Sequence, residues 1–257
     1  MVVVLHHHHP FLQALVYDPS RRSVLDFCSG VPDARAQIVR TIANPRASFK
    51  EDPARIMRAI RVASRWRNGQ IEKNTKRELR ALASMVHLCS HGRLHREVCM
   101  CLGTGAAESS FKLMWRHGVL DEVLPELAET LASKGVPRAP RKRRNEGPLH
   151  RLLSALDNEQ QSSVLNNTGE SMPSEAILAA LALPISRTSG VPHEEVCESL
   201  WRNVGRSGWS PPKHVARRAA SLLDERGEEL GALAHGGESV QTVQRAPLFA
   251  STGHADA

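Results

Sequence analysis

The chain has 257 residues, a net charge of +7 and a pI near 9.5, with 41% hydrophobic residues but only 4% aromatic and a single tyrosine, Tyr17. That length can bury one large core or two modest ones, and a core poor in rings must be packed from Leu, Val, Ile and Ala, a composition that leans helical. No apolar run approaches the roughly 18 residues of a membrane span, and an odd set of five cysteines without C-x-x-C spacing argues against a secreted disulfide scaffold or a zinc ribbon. The expected setting is intracellular and reducing, with nucleus, cytoplasm and organelle left open.

The opening Met1–Leu5 is too short for a secretory signal and is followed by His6 to His9, a run whose metal binding would be adventitious. Residues 11–42 alternate short apolar runs with turn signals: Leu12–Tyr17, Asp18-Pro19-Ser20, Ser23–Phe27, Ser29-Gly30 and Gln37–Ile42. The pattern predicts two or three short strands, the first pair a hairpin, too few for an independent sheet. Asn44-Pro45 ends that segment. Glu51-Asp52-Pro53 is expected to open a helix running to Arg67, with proline in its first turn and acids at the positive end of its dipole.

Charge is concentrated here. Arg35 to Arg67 holds nine Lys/Arg against two acids, Glu51 and Asp52, so this window accounts for the whole net charge. Arg55, Arg58, Arg61 and Arg65 recur at three, three and four, which puts four guanidinium groups on one helical face, a phosphate-neutralising pattern. A carboxylate and a guanidinium one turn apart, Asp52 and Arg55, can offer an acceptor and a donor to a base edge. An ordinary solvated helix would carry similar charges.

Further helices are expected at 74–88, 90–102, 105–117, 119–133, 147–157, 174–186, 192–203 and 211–233, and their short connections imply an antiparallel array. His87, His91 and His95 fall at helical spacing, but Ser90 and Gly92 put a helix boundary through them, which favours surface or capping roles. Gly103-Thr-Gly105 lacks the lysine of a phosphate loop and reads as a helix-to-helix turn. Arg141-Lys142-Arg143-Arg144 sits in a Pro-rich connector and could be a nuclear address, contact RNA or be solvated, while Leu200-Trp201 and Trp209 read as packing residues. The tail from Gly236 is expected to be disordered.

The stretch from Phe49 through Glu51-Asp52-Pro53-Ala54-Arg55-Ile56-Met57-Arg58-Ala59-Ile60-Arg61 to Ala63 resembles the E-D-x-x-R motif of the poly(A) polymerase and CCA-adding tRNA nucleotidyltransferase family. Ala14-Leu15-Val16-Tyr17-Asp18-Pro19 resembles that family's strand after its R-D-F-T-x-N motif, and Asp26 through Gly30 and Asp33 its flexible D-x-x-G-G segment. Gly92-Arg93 through Glu97 is similar to its neck helix. Gly105-Ala106-Ala107-Glu108 and Leu113-Met114-Trp115, with Gly118 and Leu124-Pro125, resemble the helix pair that follows, in wording closest to the plant and algal branch.

The resemblance covers about residues 10–135. It implies a mainly α-helical protein: a residual strand segment of a nucleotidyltransferase head (10–48), nucleotide-selecting and neck helices (49–135) and a divergent helical body (147–235). It implies that Asp52 and Arg55 read the incoming base, that Glu51 and Arg58 adjoin them and that Arg93 braces the site. Arg61, Arg65 and Arg141 to Arg144 would hold RNA. It also implies ATP, possibly CTP, as nucleotide, Mg²⁺ as cofactor, and tRNA or RNA 3′ ends as acceptor.

Transfer in this family needs two metals held by a Gly-Ser segment and an Asp-x-Asp pair, and the eight aspartates never give Asp-x-Asp. Where the Arg-Asp-Phe-Thr motif belongs, the chain reads His8-His9-Pro10-Phe11-Leu12-Gln13. No catalytic or metal residue is therefore assigned, and the chain as written is expected to lack independent transfer activity. An incomplete gene reading or a true pseudoenzyme would account for that. The alternatives are a non-catalytic RNA- or tRNA-binding helical module and a plain helical interaction scaffold.

Overall fold

The structure is a computed structural model that describes residues 3–4, 15–138, 147–165, 172–202 and 213–235. It is mainly α-helical, with two small sheets near the start. Strands β1 (Val3–Val4), β2 (Leu15–Asp18) and β3 (Ser23–Asp26) form an antiparallel sheet in that order, with Leu15 opposite Asp26 and Asp18 opposite Ser23. The expected hairpin is present, and the Asp18 carboxylate closes its turn by accepting from the Ser20 and Arg21 amides.

Sequence periodicity did not show helix α1 (Gly30–Ala36), which the Asp26 carboxylate anchors by accepting from the Gly30 and Val31 amides at 2.8 and 2.9 Å. The strand expected over Gln37–Ile42 contracts to β4 (Ile38–Val39). It pairs in parallel with β5 (Gln70–Ile71), a partner too short and too distant in sequence to leave a local signal.

The helix expected from Glu51 to Arg67 is instead two helices with Asp52 between them. Helix α2 (Pro45–Glu51) starts at Asn44, whose side chain accepts from the Ala47 amide, and α3 spans Ala54–Arg65. Asp52 is extended, at φ −141° and ψ 93°, because the residue before a proline is pushed out of the helical region. Pro53, with its helical φ, then leads into α3. The acids therefore close one helix and bridge to the next.

The remaining elements are α4 (Lys73–Ala81), a 3₁₀ turn (Ala83–Leu88), α5 (His91–Leu102), α6 (Ala107–His117), α7 (Leu120–Val123), α8 (Pro125–Ser133), α9 (Pro148–Leu165), α10 (Ser174–Ser189), α11 (His193–Arg202) and α12 (Lys213–His235), so the helices expected over 74–88 and 119–133 are each divided in two and the one expected over 147–157 continues to Leu165. Gly103-Thr-Gly105 is the turn between α5 and α6, as the sequence suggested. One buried apolar cluster runs from Val39 and Phe49 through Ile56, Phe111 and Leu124 to Leu178 and Leu230, so α3 and α10 are centres of the same core. No helix among the described residues is long and apolar enough to cross a membrane.

Candidate nucleotide and RNA site

Helix α3 is buried almost all round. Ile56, Met57, Ala59, Ile60, Val62 and Ala63 pack inward, and α5 and α6 close over it. Burial on that scale leaves little room for a four-arginine outer face, and the arginines divide by depth. Arg61, expected to face RNA, is a correction. Its side chain is 4% exposed and its Nε donates to Glu97 Oε2 at 3.2 Å, since a cation turned into the core must find an anion there. Arg65 stands exposed in the last turn of α3. Arg141, Lys142, Arg143 and Arg144 lie outside the described residues, as do His6 to His9, Trp209 and the tail from Gly236.

The other predicted residues meet at the α2–α3 junction. Arg93 in the first turn of α5 donates from Nη2 to Asp52 Oδ2 at 2.7 Å. Arg58 Nη1 and Arg55 Nε lie 3.6 and 3.9 Å from the same oxygen. Asp52 Oδ1 accepts from the Ala54 amide, so the carboxylate is fixed by the backbone it caps. Arg55 Nη1 donates to Glu51 Oε2 at 2.6 Å and to the carbonyl and hydroxyl of Ser48 at 3.2 and 3.0 Å. The bend at Asp52 is what lets residues of two helices surround one carboxylate.

Glu97, which the sequence placed only in the neck, is the support beneath this patch. Its side chain is 6% exposed, with Oε1 accepting from Arg58 Nε at 3.1 Å and Oε2 from Arg61. Glu97 thus ties the deep arginine to the partly exposed one, fixing where Arg58 points. Its signal in the sequence is weak, an acid four residues beyond Arg93 on one helical face. Four guanidinium groups meet three carboxylates (Glu51, Asp52, Glu97), which leaves one net positive charge beside Asp52, while Arg55 and Arg93 stay 29% and 45% exposed. The patch can offer a held acceptor beside donors with free N–H groups, the complement of a base edge.

Asp157, in the lone Asp-Asn-Glu run, has a structural task. From α9 its two oxygens accept from the Ala107 and Glu108 amides at 2.7 and 2.9 Å, capping α6 across the core. Burial pushes its carboxyl above the usual range. His87, His91 and His95 do not converge on one point: among the described residues no group of three or more His, Cys, Asp or Glu could hold a metal. The residues described do not fit the Mg²⁺ pair that the family resemblance implies. The polar cavities of about 490 Å³ beside Ser29, Arg40 and Asn74 and of about 540 Å³ beside His193 and Arg217 lie away from Asp52.

Residues 69–131 match the family model described as the "probable RNA and SrmB-binding site of polymerase A". The poly(A) polymerase I of Haemophilus influenzae is 27% identical over 123 residues, 48% of this chain and 27% of that protein. The chain spans under a third of the length of the curated poly(A) polymerases it matches. Among solved structures, a tRNA-processing enzyme in an apo form is similar at a TM-score of 0.49 with 17% identity, over 85% of this chain and 57% of that one. The Bacillus stearothermophilus CCA-adding enzyme in complex with CTP gives 0.45 with 20% identity, over 82% and 57%.

Proposed function

We propose that this chain, which by its sequence matches belongs with the poly(A) polymerase and CCA-adding nucleotidyltransferase family, carries the nucleotide-selecting and RNA-holding part of an RNA 3′-end nucleotidyltransferase. In this reading residues 49–135 hold both functions, beside the strand segment 10–48 and the helical body 147–235. Asp52 and Arg55 read the base, Glu51 and Arg58 adjoin them, and Arg93 braces Asp52. A reducing intracellular compartment fits five cysteines that stand as free thiols.

The observation that carries the reading is the Asp52 carboxylate fixed by Ala54 and Arg93 beside the partly exposed Arg55 and Arg58. On their pairing edges adenine and cytosine each present an amino donor next to a ring-nitrogen acceptor, whereas guanine and uracil present the reverse. A carboxylate acceptor next to a guanidinium donor matches the first pair and leaves the second with opposed acceptors and opposed donors, a mismatch costly in a desolvated contact. ATP and CTP are therefore the nucleotides assigned, and tRNA or another RNA 3′ end the acceptor. In this family a divalent metal pair supplies the charge stabilisation for phosphoryl transfer. No step of that transfer is assigned to the residues described.

The test is nucleotide binding to the purified full chain by titration calorimetry. ATP and CTP should bind at least tenfold more tightly than GTP and UTP, and Asp52→Ala or Arg55→Ala should remove that preference. Equal binding of all four, or of none, would sink the assignment. The match of residues 69–131 to an RNA-binding model also favours a second reading, RNA binding without base selection, which predicts RNA affinity with no nucleotide preference.

A further inference from the structure

Helix α4 carries four cations, Lys73, Lys76, Arg77 and Arg80, and one acid, Glu78. Glu78 is turned inward, where it accepts from Arg46 of α2 at 3.2 Å and from Arg77 at 3.1 Å. Lys76 and Arg80 are one turn apart on the other side, next to the C-terminal end of α6. There Arg80 Nε donates to Nδ1 of the buried His117 at 2.9 Å, and Arg116 stands exposed beside it. Among the described residues, no carboxylate lies within ion-pair reach of Lys76, Arg80 or Arg116. The arginines around Asp52, in contrast, each lie within ion-pair distance of an acid.

We propose that Lys76, Arg80 and Arg116 form a phosphate-binding surface that grips the RNA backbone, separate from the Asp52 patch. The proposal rests on the reading of this chain as an RNA-binding protein and names the surface that does the binding. The sequence reading assigned RNA to Arg61 and Arg65 on α3 and to Arg141 to Arg144, and burial removes Arg61 from that role.

Three observations support it. The His117 acceptor takes up the Arg80 Nε, which leaves both amino groups of that guanidinium to reach outward in a fixed plane, the arrangement that suits phosphate oxygens. His117 is held neutral by burial and by Arg80, Arg116 and Lys76 themselves, so it stays an acceptor at neutral pH. Three cations close enough to act on one imidazole also repel each other, and a polyanion relieves that repulsion. The cluster lies wholly within the matched residues 69–131.

The test uses the full chain and a labelled single-stranded RNA 12-mer, followed by anisotropy across a salt series. The variant Lys76→Gln/Arg80→Gln/Arg116→Gln should bind about tenfold more weakly or worse. Its slope of log affinity against log salt should fall by roughly two, since each phosphate contact on a single strand contributes about 0.7. The charge-preserving variant Lys76→Arg/Arg116→Lys, which leaves the Arg80 guanidinium in place, should stay within twofold of the parent. If the triple glutamine variant loses its helical circular dichroism, the singles Lys76→Gln and Arg116→Gln replace it, each lowering the slope by about 0.7.

An unchanged slope in the neutralised variants would overturn the surface while leaving RNA binding itself intact. Absence of RNA binding by the parent chain would overturn both. Poly-L-glutamate binding as tightly as RNA would also overturn the proposal, by marking the surface as a dock for acidic protein.

Discussion

Arg93 Nη2 donates to Asp52 Oδ2 at 2.7 Å, joining the α2–α3 junction to the first turn of α5 across 41 residues of sequence. Asp52 is 16% exposed and Arg93 45%, so the bond sits at the edge of solvent and contributes more to orientation than to stability. Arg93→Ala should weaken ATP binding about tenfold, or about 1.4 kcal/mol, and leave the melting temperature nearly unchanged. Calorimetric titration and a thermal melt on one sample check both halves. Unaltered nucleotide affinity would show that Asp52 needs no brace.

Glu97 offers the opposite balance, because it is buried and carries two arginines. Glu97→Ala leaves Arg61 in the core without this anion and should cost about 3–5 kcal/mol in urea unfolding. A double variant, Glu97→Met with Arg61→Met, should recover part of that loss by removing the buried charge. A single variant as stable as the parent would mean that water reaches Arg61.

His117 makes folding pH-dependent. Burial, followed by the charges of Arg80, Arg116 and Lys76, lowers its pKa from 6.5 to about 4. As the pH falls from 6.5 toward 4 the unfolded chain takes up a proton that the folded one refuses. The associated stability, about 3 kcal/mol, is therefore complete above pH 6.5 and lost as the pH approaches 4. Equilibrium unfolding at pH 7 and pH 4.5 should show His117→Gln with a shallower decline than the parent. Parallel declines would mean that the imidazole is solvated.

Gly69 is required for steric reasons. A Cβ there would lie 1.9 Å from the Ala63 carbonyl oxygen, a fixed backbone atom at the end of α3. Gly69→Ala should therefore destabilise by about 3 kcal/mol or more through displaced backbone. Gly92→Ala is the matched control, since nothing lies within 4 Å of its Cβ position in helix α5. It should gain up to about 1 kcal/mol from helix propensity. Equal effects of the two substitutions in a urea titration would refute the steric account.

Local signals carried most of the architecture. Apolar periodicity and the punctuation at Gly103, Gly105 and Gly118 placed α5 and α6 and the span of α7 and α8, expected as one helix over 119–133 but divided at Leu124-Pro125, and the hairpin of β2 and β3 followed from alternation around Asp18-Pro19-Ser20. Two of the misses depended on partners outside the element itself. Strand β5 exists only because β4 lies beside it, and α1 depends on Asp26 accepting its first amides. The break at Asp52 could have been read, since Pro53 restrains the residue before it, but its acids were taken as a helix opening.

The sequence by itself determined that this protein is helical, basic over Arg35 to Arg67 and equipped with an adjacent carboxylate and guanidinium, because those properties reside in residue type and in spacing along one chain. Only the tertiary structure decided which charges remain available. Helical spacing puts Arg55, Arg58 and Arg61 in a row, but the depth of α3 in the core turns Arg61 onto Glu97 and leaves Arg55 and Arg58 at the edge of solvent. The hydrogen bond from Arg80 of α4 to His117 at the end of α6 brings Lys76, Arg80 and Arg116 together from separate parts of the chain. Burial and neighbouring charge are properties of the folded packing, and one-dimensional spacing does not encode them.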